Sequence, residues 1–194
     1  MSPDPPPWLP KHPVIRLPPE YQQVEWIANN DSYRAIPTGL NTRDLKVELG
    51  IIAKNGGINR GLCGAGYSSQ RLMLTFESSG ELKFWGQNYS LGTLSFDQQY
   101  DIVVTAGHQS VNGTEYSYAD AGSDVEWTIG GFLTSQYWSN SQWLYCRMYK
   151  NNVLERDFVP CYHKSDEQVG FWDLVTEDFF TCASGNWDKG SDVN

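Results

Sequence analysis

An all-β fold, an antiparallel β-sandwich with an extended proline-rich N-terminal arm, is what this sequence predicts. Three observations carry it. Apolar and polar residues alternate with period two in several short stretches. Turn-forming clusters recur at roughly 8–12 residue spacing with no amphipathic helix between them. Eight of the ten prolines crowd the first 19 residues.

The arm, residues 1–19, has neither helical nor strand period. Proline fixes φ and lacks an N–H, so Pro5-Pro6-Pro7 favours polyproline II, a stiff form that loses little entropy on docking. Trp8 and Leu9 follow directly, one aromatic and one aliphatic anchor. Pro5, Pro6, Pro7, Trp8 and Leu9 are therefore the candidate partner-binding segment.

Residues 20–182 read as the sandwich. Leu45, Val47, Leu49 and Ile51 alternate with Lys46, Glu48 and Gly50; Leu72, Leu74 and Phe76 alternate with Arg71, Met73 and Thr75. One face is buried and the other wet. Further strands are predicted at 23–27, 81–85, 100–105, 115–118, 125–129, 143–150, 153–159 and 169–172. Turn clusters such as Asn55-Gly56-Gly57, Ser78-Ser79-Gly80 and Asn112-Gly113 separate them. Trp26, Trp172 and most strand aromatics are assigned to the core. Residues 183–194, polar and glycine-rich, read as a tail.

The hairpin at Asn151-Asn152 has a register that its faces constrain. A two-residue loop would mix Met148 with Glu155 and Cys146 with Asp157. A three-residue loop, Lys150-Asn151-Asn152, sets Met148 against Leu154 and Leu144 against Phe158, with Arg147 facing Glu155 and Arg156 left as one awkward inward residue. The second register is expected. In either, Cys146 and Cys161 lie four or five positions apart on the ladder, on the order of 13–16 Å at strand rise, too far for a disulfide. Cys63, Cys146, Cys161 and Cys182 form no C-x-x-C pair and are expected as buried, reduced, small hydrophobes.

Composition excludes several classes. Lys plus Arg number 14 against 23 Asp plus Glu, a net charge of −9, and no basic cluster tracks a phosphate backbone, so nucleic acid is not an expected partner. No apolar run approaches the roughly 18 residues a membrane helix needs, and the N-terminus lacks the pattern of a signal peptide. His12, His108 and His163 are scattered, with no nucleophile–base grammar around them.

The segment Leu17-Pro18-x-x-Tyr21-x-x-Val24-Glu25-Trp26-Ile27, then Tyr33, Ile36, Thr38-Gly39 and Asn41-Thr42-Arg43, resembles the opening of a concanavalin A-like, laminin-G-like jelly-roll module of phage and prophage structural proteins. The closing part is similar too: Cys146-Arg147-Met148-Tyr149, Leu154 to Cys161, Val169 to Val175, and Phe179-Phe180. Two departures stand out. Ile36-Pro37 replaces the acidic residue such modules carry before Thr38-Gly39, and residues 60–143 match only in strand rhythm. The resemblance implies a jelly roll and a non-enzymatic virion accessory protein, a capsid decoration, head-fibre or tail component assembled in the host cytoplasm. The arm would dock on a capsid or tail protein, and the module would sit on the particle as a monomer or homo-oligomer.

Two alternatives differ in class. A carbohydrate-binding, host-recognition module would use the aromatic loop 133–143, where Tyr137, Trp138 and Asn140 combine flat rings with an amide and are the candidate contacts to a cell-surface glycan. A glycan hydrolase would need two carboxylates about 5–9.5 Å apart. Glu48, Glu77 and Glu81, or Asp124 with Glu126, are the nearest candidates, and none falls in a tight acidic motif, so no catalytic residue is assigned. No cofactor and no metal ligand set is expected. Calcium has oxygen-rich loops at Asn29–Ser32 and Asp120–Asp124 as its best places, yet such turns arise for backbone reasons far more often.

Overall fold

The alternation read in the sequence becomes a pair of packed sheets in a computed structural model, which describes residues 13–30, 34–55, 61–65, 72–84, 89–119, 124–131, 138–183 and 185–194. In chain order the strands are β1 (Tyr21–Gln23), β2 (Ile27–Ala28), β3 (Ile36–Asn41), β4 (Leu45–Ile52), β5 (Gly61–Ala65) and β6 (Leu74–Phe76). Then come β7 (Glu81–Phe84), β8 (Tyr89–Thr93), β9 (Gln99–Val104), β10 (Gln109–Val111), β11 (Thr114–Tyr116) and β12 (Glu126–Ile129). The last five are β13 (Gln142–Lys150), β14 (Val153–His163), β15 (Val169–Asp173), β16 (Asp178–Phe180) and β17 (Asp188–Lys189). The described residues contain no helix.

The larger sheet has 11 strands in the order β11-β10-β9-β4-β13-β14-β15-β16, with β1 on β14, β2 on β13 and β17 on β2. The smaller has six, β3-β12-β5-β6-β7-β8. Every pairing is antiparallel. This is the antiparallel all-β sandwich that the alternation predicted, and it is consistent with the jelly-roll type that the resemblance implied. Leu45, Val47, Leu49 and Ile51 point from β4 into the interlayer core, where Phe76, Phe84, Trp127, Trp143, Phe158 and Phe171 are also sealed. Trp127 Nε1 donates to the Leu72 carbonyl at 3.1 Å, so its one polar group is satisfied inside the core.

One edge is closed by tyrosines. The Tyr116 hydroxyl donates to the Leu91 carbonyl (2.8 Å) and the Tyr118 hydroxyl to the Ser90 carbonyl (3.3 Å), tying the β11 edge of one sheet to the β8 edge of the other. Tyr89 stacks on Tyr118 with ring centres 3.9 Å apart. An edge strand whose carbonyls are already engaged presents less of a template to other chains.

The β13–β14 hairpin corrects both registers considered from sequence. Asn151 (φ 51°) and Asn152 (φ 64°) are both left-handed, which makes a two-residue turn and pairs Lys150 with Val153 and Tyr149 with Leu154. A bulge at Glu155 then resets the ladder, so Met148 faces Arg156, Arg147 faces Asp157 and Cys146 faces Phe158. Leu144 is not opposite Phe158. It is the unpaired residue between Trp143↔Ile51 and Tyr145↔Gly50, and it stands outside the main core cluster.

Arg156 does turn inward, and its surroundings accommodate it. Its Nε lies 3.1 Å from the Thr38 carbonyl and 3.6 Å from Asp173 Oδ2, with the guanidinium over the Phe180 ring. Asp173 is itself fully buried and accepts from the Asp157 and Val175 amides and from Thr176 Oγ1. The buried charge is thus paired and hydrogen-bonded on every side.

Residues 183–194, expected as a tail, are part of the fold. β17 pairs with β2, Asp192 bridges Val24, and the Val193 amide donates to the Gln23 carbonyl. Trp187 is 3% exposed, and its Nε1 donates to the Arg34 carbonyl at 2.6 Å. The indole lies where a Cβ on Gly130 would stand, 2.3 Å away, at a φ of +78° that also favours glycine. One tryptophan among Gly, Ser and Asp leaves no period for a sequence reader to find.

The four cysteines are buried thiols. Cys146 faces Phe158, which puts Cys161 three positions along the ladder and on the opposite face. Burial pushes the thiols of Cys63 and Cys146 well up, and that of Cys161 up to about 12. Thiolate, the reactive form, is therefore scarce. A disulfide-exchange reagent at mildly alkaline pH is expected to label essentially no cysteine in the native protein and all four after denaturation. Rapid native labelling at Cys63, Cys146 or Cys161 would show that the core is open.

Candidate ligand-binding face

The face of the larger sheet turned away from the sandwich divides into two halves. Over β1, β14, β15 and β16 it is apolar and covered. Gln23, 5% exposed, receives the Ile15 amide on Oε1 (2.8 Å) and gives Nε2 to the Pro13 carbonyl (3.3 Å), so the C-terminal end of the arm is held to the sheet. Tyr21 packs on Trp172 and Phe179, with ring centres 4.7 and 5.1 Å away, and on His163. Trp172 is accordingly buried, though on this outer face rather than in the interlayer core where it was expected. Beside it lies a cleft of about 410 Å³ lined by residues 16–19, Trp172, Leu174 and Glu177.

Over β9, β4 and β13 the same face is open and polar. Its layout follows from register. Glu48, Arg147 and Asp157 stand in one row across β4, β13 and β14; Asp101, Gly50 and Tyr145 stand in the next across β9, β4 and β13; Lys46 and Tyr149 form a third. Gly50 is what lets Tyr145 lie down: a Cβ there would come within 2.3 Å of the ring. The Tyr145 hydroxyl donates to Asp101 (2.9 Å), and the Tyr149 hydroxyl to Glu48 (3.3 Å). Arg147 bonds Asp157 at 3.1 Å and sits 5.7 Å from the Tyr145 ring centre; Lys46 pairs with Glu48 at 2.6 Å and lies 4.9 Å from the Tyr149 ring centre. Burial first, then the neighbouring carboxylates, push the pKa of both phenols up, so they remain hydroxyl donors at neutral pH.

Tyr145 and Tyr149 were missed from sequence because most strand aromatics were assigned to the core. The signal was present: in β13 the alternation that buries Cys146 and Met148 must turn Tyr145, Arg147 and Tyr149 outward. Trp26 also departs from its core assignment, being half-buried beneath Gly190.

Of the sequence-predicted site residues, Pro5, Pro6, Pro7, Trp8, Leu9 and Tyr137 lie outside the described residues. Trp138 bridges Gly131, and its Nε1 and the Oδ1 of Asn140 are enclosed with no hydrogen-bond partner among the described residues. Ser139 between them and Ser141 just beyond are fully buried and bonded to each other. Among the acids once weighed for catalysis, Glu77 and Glu81 share Lys83, Glu126 accepts the Gly39 amide, and Asp124 is paired with Arg43. Glu48 and Asp157 are two inter-strand steps apart, about 9–10 Å, with Arg147 standing between them. Of the calcium-candidate oxygens, Asn30 Oδ1 is engaged by Arg34, while Asp31, Ser32 and residues 120–123 lie outside the described residues. His108 is exposed and paired with Glu115, and His163 is half-buried against Tyr21 and Asp166.

No protein-family model matches this chain, and no curated protein matches it. Among solved structures it is similar to one described as "a putative carbohydrate binding protein from Bacteroides ovatus", with a TM-score of 0.56 and 16% identity. The alignment takes in 89% of this chain and 62% of that one, so the chain spans less than two thirds of that protein's length. At this identity the likeness establishes the β-sandwich fold and not the ligand.

Proposed function

We propose that this chain is a carbohydrate-binding module and that the open half of the outer face, around Tyr145, holds the glycan. The observation that carries the reading is the Tyr145 ring laid down over Gly50 on a rigid sheet, with Arg147, Asp101 and Glu48 around it. A ring face is electron-rich and attracts the slightly positive C–H face of a pyranose. The surrounding charged groups give and take hydrogen bonds with hydroxyls and fix orientation. Binding on strands keeps the groups pre-positioned, which lowers the ordering cost. The structural neighbour's description as a carbohydrate binding protein agrees with this reading.

Catalysis fits the face less well. A hydrolase needs a water or a nucleophile between its two acids, and Arg147 stands between Glu48 and Asp157. A second location is favoured by one observation, the enclosed and unpartnered Trp138 Nε1 and Asn140 Oδ1. One is a donor and the other an acceptor, and buried groups of this kind are uncommon enough to need a reason. The virion role implied by the motif resemblance rests on those motifs alone.

A glycan array followed by calorimetry tests the reading. Tyr145→Ala is expected to weaken binding of the selected glycan at least tenfold. Gly50→Ala, which displaces the ring, is expected to do the same with the fold retained by circular dichroism. Loss on Trp138→Ala with Tyr145→Ala unchanged moves the site to the loop, and absence of any glycan ligand removes the proposal.

A further inference from the structure

The cleft beside Trp172 and the arm that borders it fit each other's chemistry, and we propose that the cleft of one copy receives the Pro5–Leu9 segment of a second copy of this chain. The cleft is lined by a tryptophan, by Leu17 and Leu174, and by two prolines, Pro18 and Pro19. Its volume of about 410 Å³ lies within the range of pockets that bind small ligands. Grooves that present a tryptophan and prolines are suited to a polyproline II strand, whose rings stack on the aromatic face and whose ordering cost is already reduced. The sequence Pro5-Pro6-Pro7-Trp8-Leu9 favours such a strand and ends in large apolar anchors.

Charge points the same way. The cleft carries one cation, Arg16, and one acid, Glu177, and neither side chain has an ion-pair partner among the described residues. The segment is bracketed by one acid, Asp4, and one cation, Lys11. Docked, each rim charge has an opposite charge to meet.

Where the described chain begins decides between the two possible sources of the segment. Pro13 is fixed beside Gln23, and from there the chain runs toward the cleft at Leu17 and Pro18. A segment of the same copy would therefore have to reverse its direction beyond Pro13 to enter the cleft. Trp8 to His12 would reach at most about 16 Å if extended as polyproline II, and a proline within so short a stretch disfavours such a reversal. A neighbouring copy is reached without that reversal.

The test is sedimentation of the whole chain over a wide concentration range. The expected result is a rise in mass from one chain toward two. Deleting residues 1–12, Trp8→Ala and Leu174→Asp should each hold the protein as a folded monomer, with melting and circular dichroism unchanged because Leu174 is surface-exposed. Mixing the Trp8→Ala and Leu174→Asp proteins should restore association, since an intact segment on one copy then meets an intact cleft on the other. A full-length chain that is monomeric throughout, a dimer that survives the deletion, or a mixture that stays monomeric overturns the proposal.

Discussion

Cutting the chain after Cys182 is expected to leave a protein that does not fold. The removed segment carries Trp187, whose indole fills the space over Gly130 and packs edge-on against Phe171. Losing a buried tryptophan alone costs about 3–5 kcal/mol, a large share of the roughly 5–15 kcal/mol that keeps a domain folded. The cut also strips β2 of β17 and takes away Asn186, whose Oδ1 receives the Val169 amide at 2.7 Å. The graded version is Trp187→Ala, measured by urea unfolding. A truncated protein that melts within a degree or two of the full chain would mean that residues 183–194 are a tail after all.

Asp173→Ala should be nearly as damaging. It leaves the half-buried Arg156 without its carboxylate and orphans two amides and a threonine hydroxyl that now point at Asp173. Removing one partner of a buried pair typically costs about 3–5 kcal/mol. For a chain of this size that is a fall in melting temperature of roughly 6–20 °C. Because much of that cost is the stranded cation, Arg156→Met added to Asp173→Ala should recover part of the loss. A double-mutant cycle with no coupling would show that the two side chains do not support each other.

How much could be read in advance depended on what each residue contributes to a pattern. β4 declared itself because four apolar side chains alternate with Lys46, Glu48 and Gly50. β5, Gly61-Leu62-Cys63-Gly64-Ala65, is buried along its whole length and includes two glycines, so it has no polar face and half a signal. The β13–β14 register failed for a different reason. Turn chemistry at Asn151-Asn152 and one bulge at Glu155 shift every later pair, and a bulge is set by local backbone geometry that side-chain polarity does not encode. The open face around Tyr145 was within reach through the period of β13. Its key enabling residue, Gly50, was not, since only the position of the ring above it gives the missing Cβ a meaning.

Gln23 holds both the chain arriving and the chain departing. Its side chain bonds Pro13 and Ile15, and its carbonyl receives the Val193 amide and Gln22 Nε2. The two ends of the sandwich therefore leave from one spot on its surface. A unit with that geometry behaves as a cassette: spliced into an exposed loop of another polypeptide, it would need almost no gap to be bridged, and the loop would scarcely be stretched by the insertion. The same adjacency allows the ends to be joined and new ones opened in an exposed turn elsewhere.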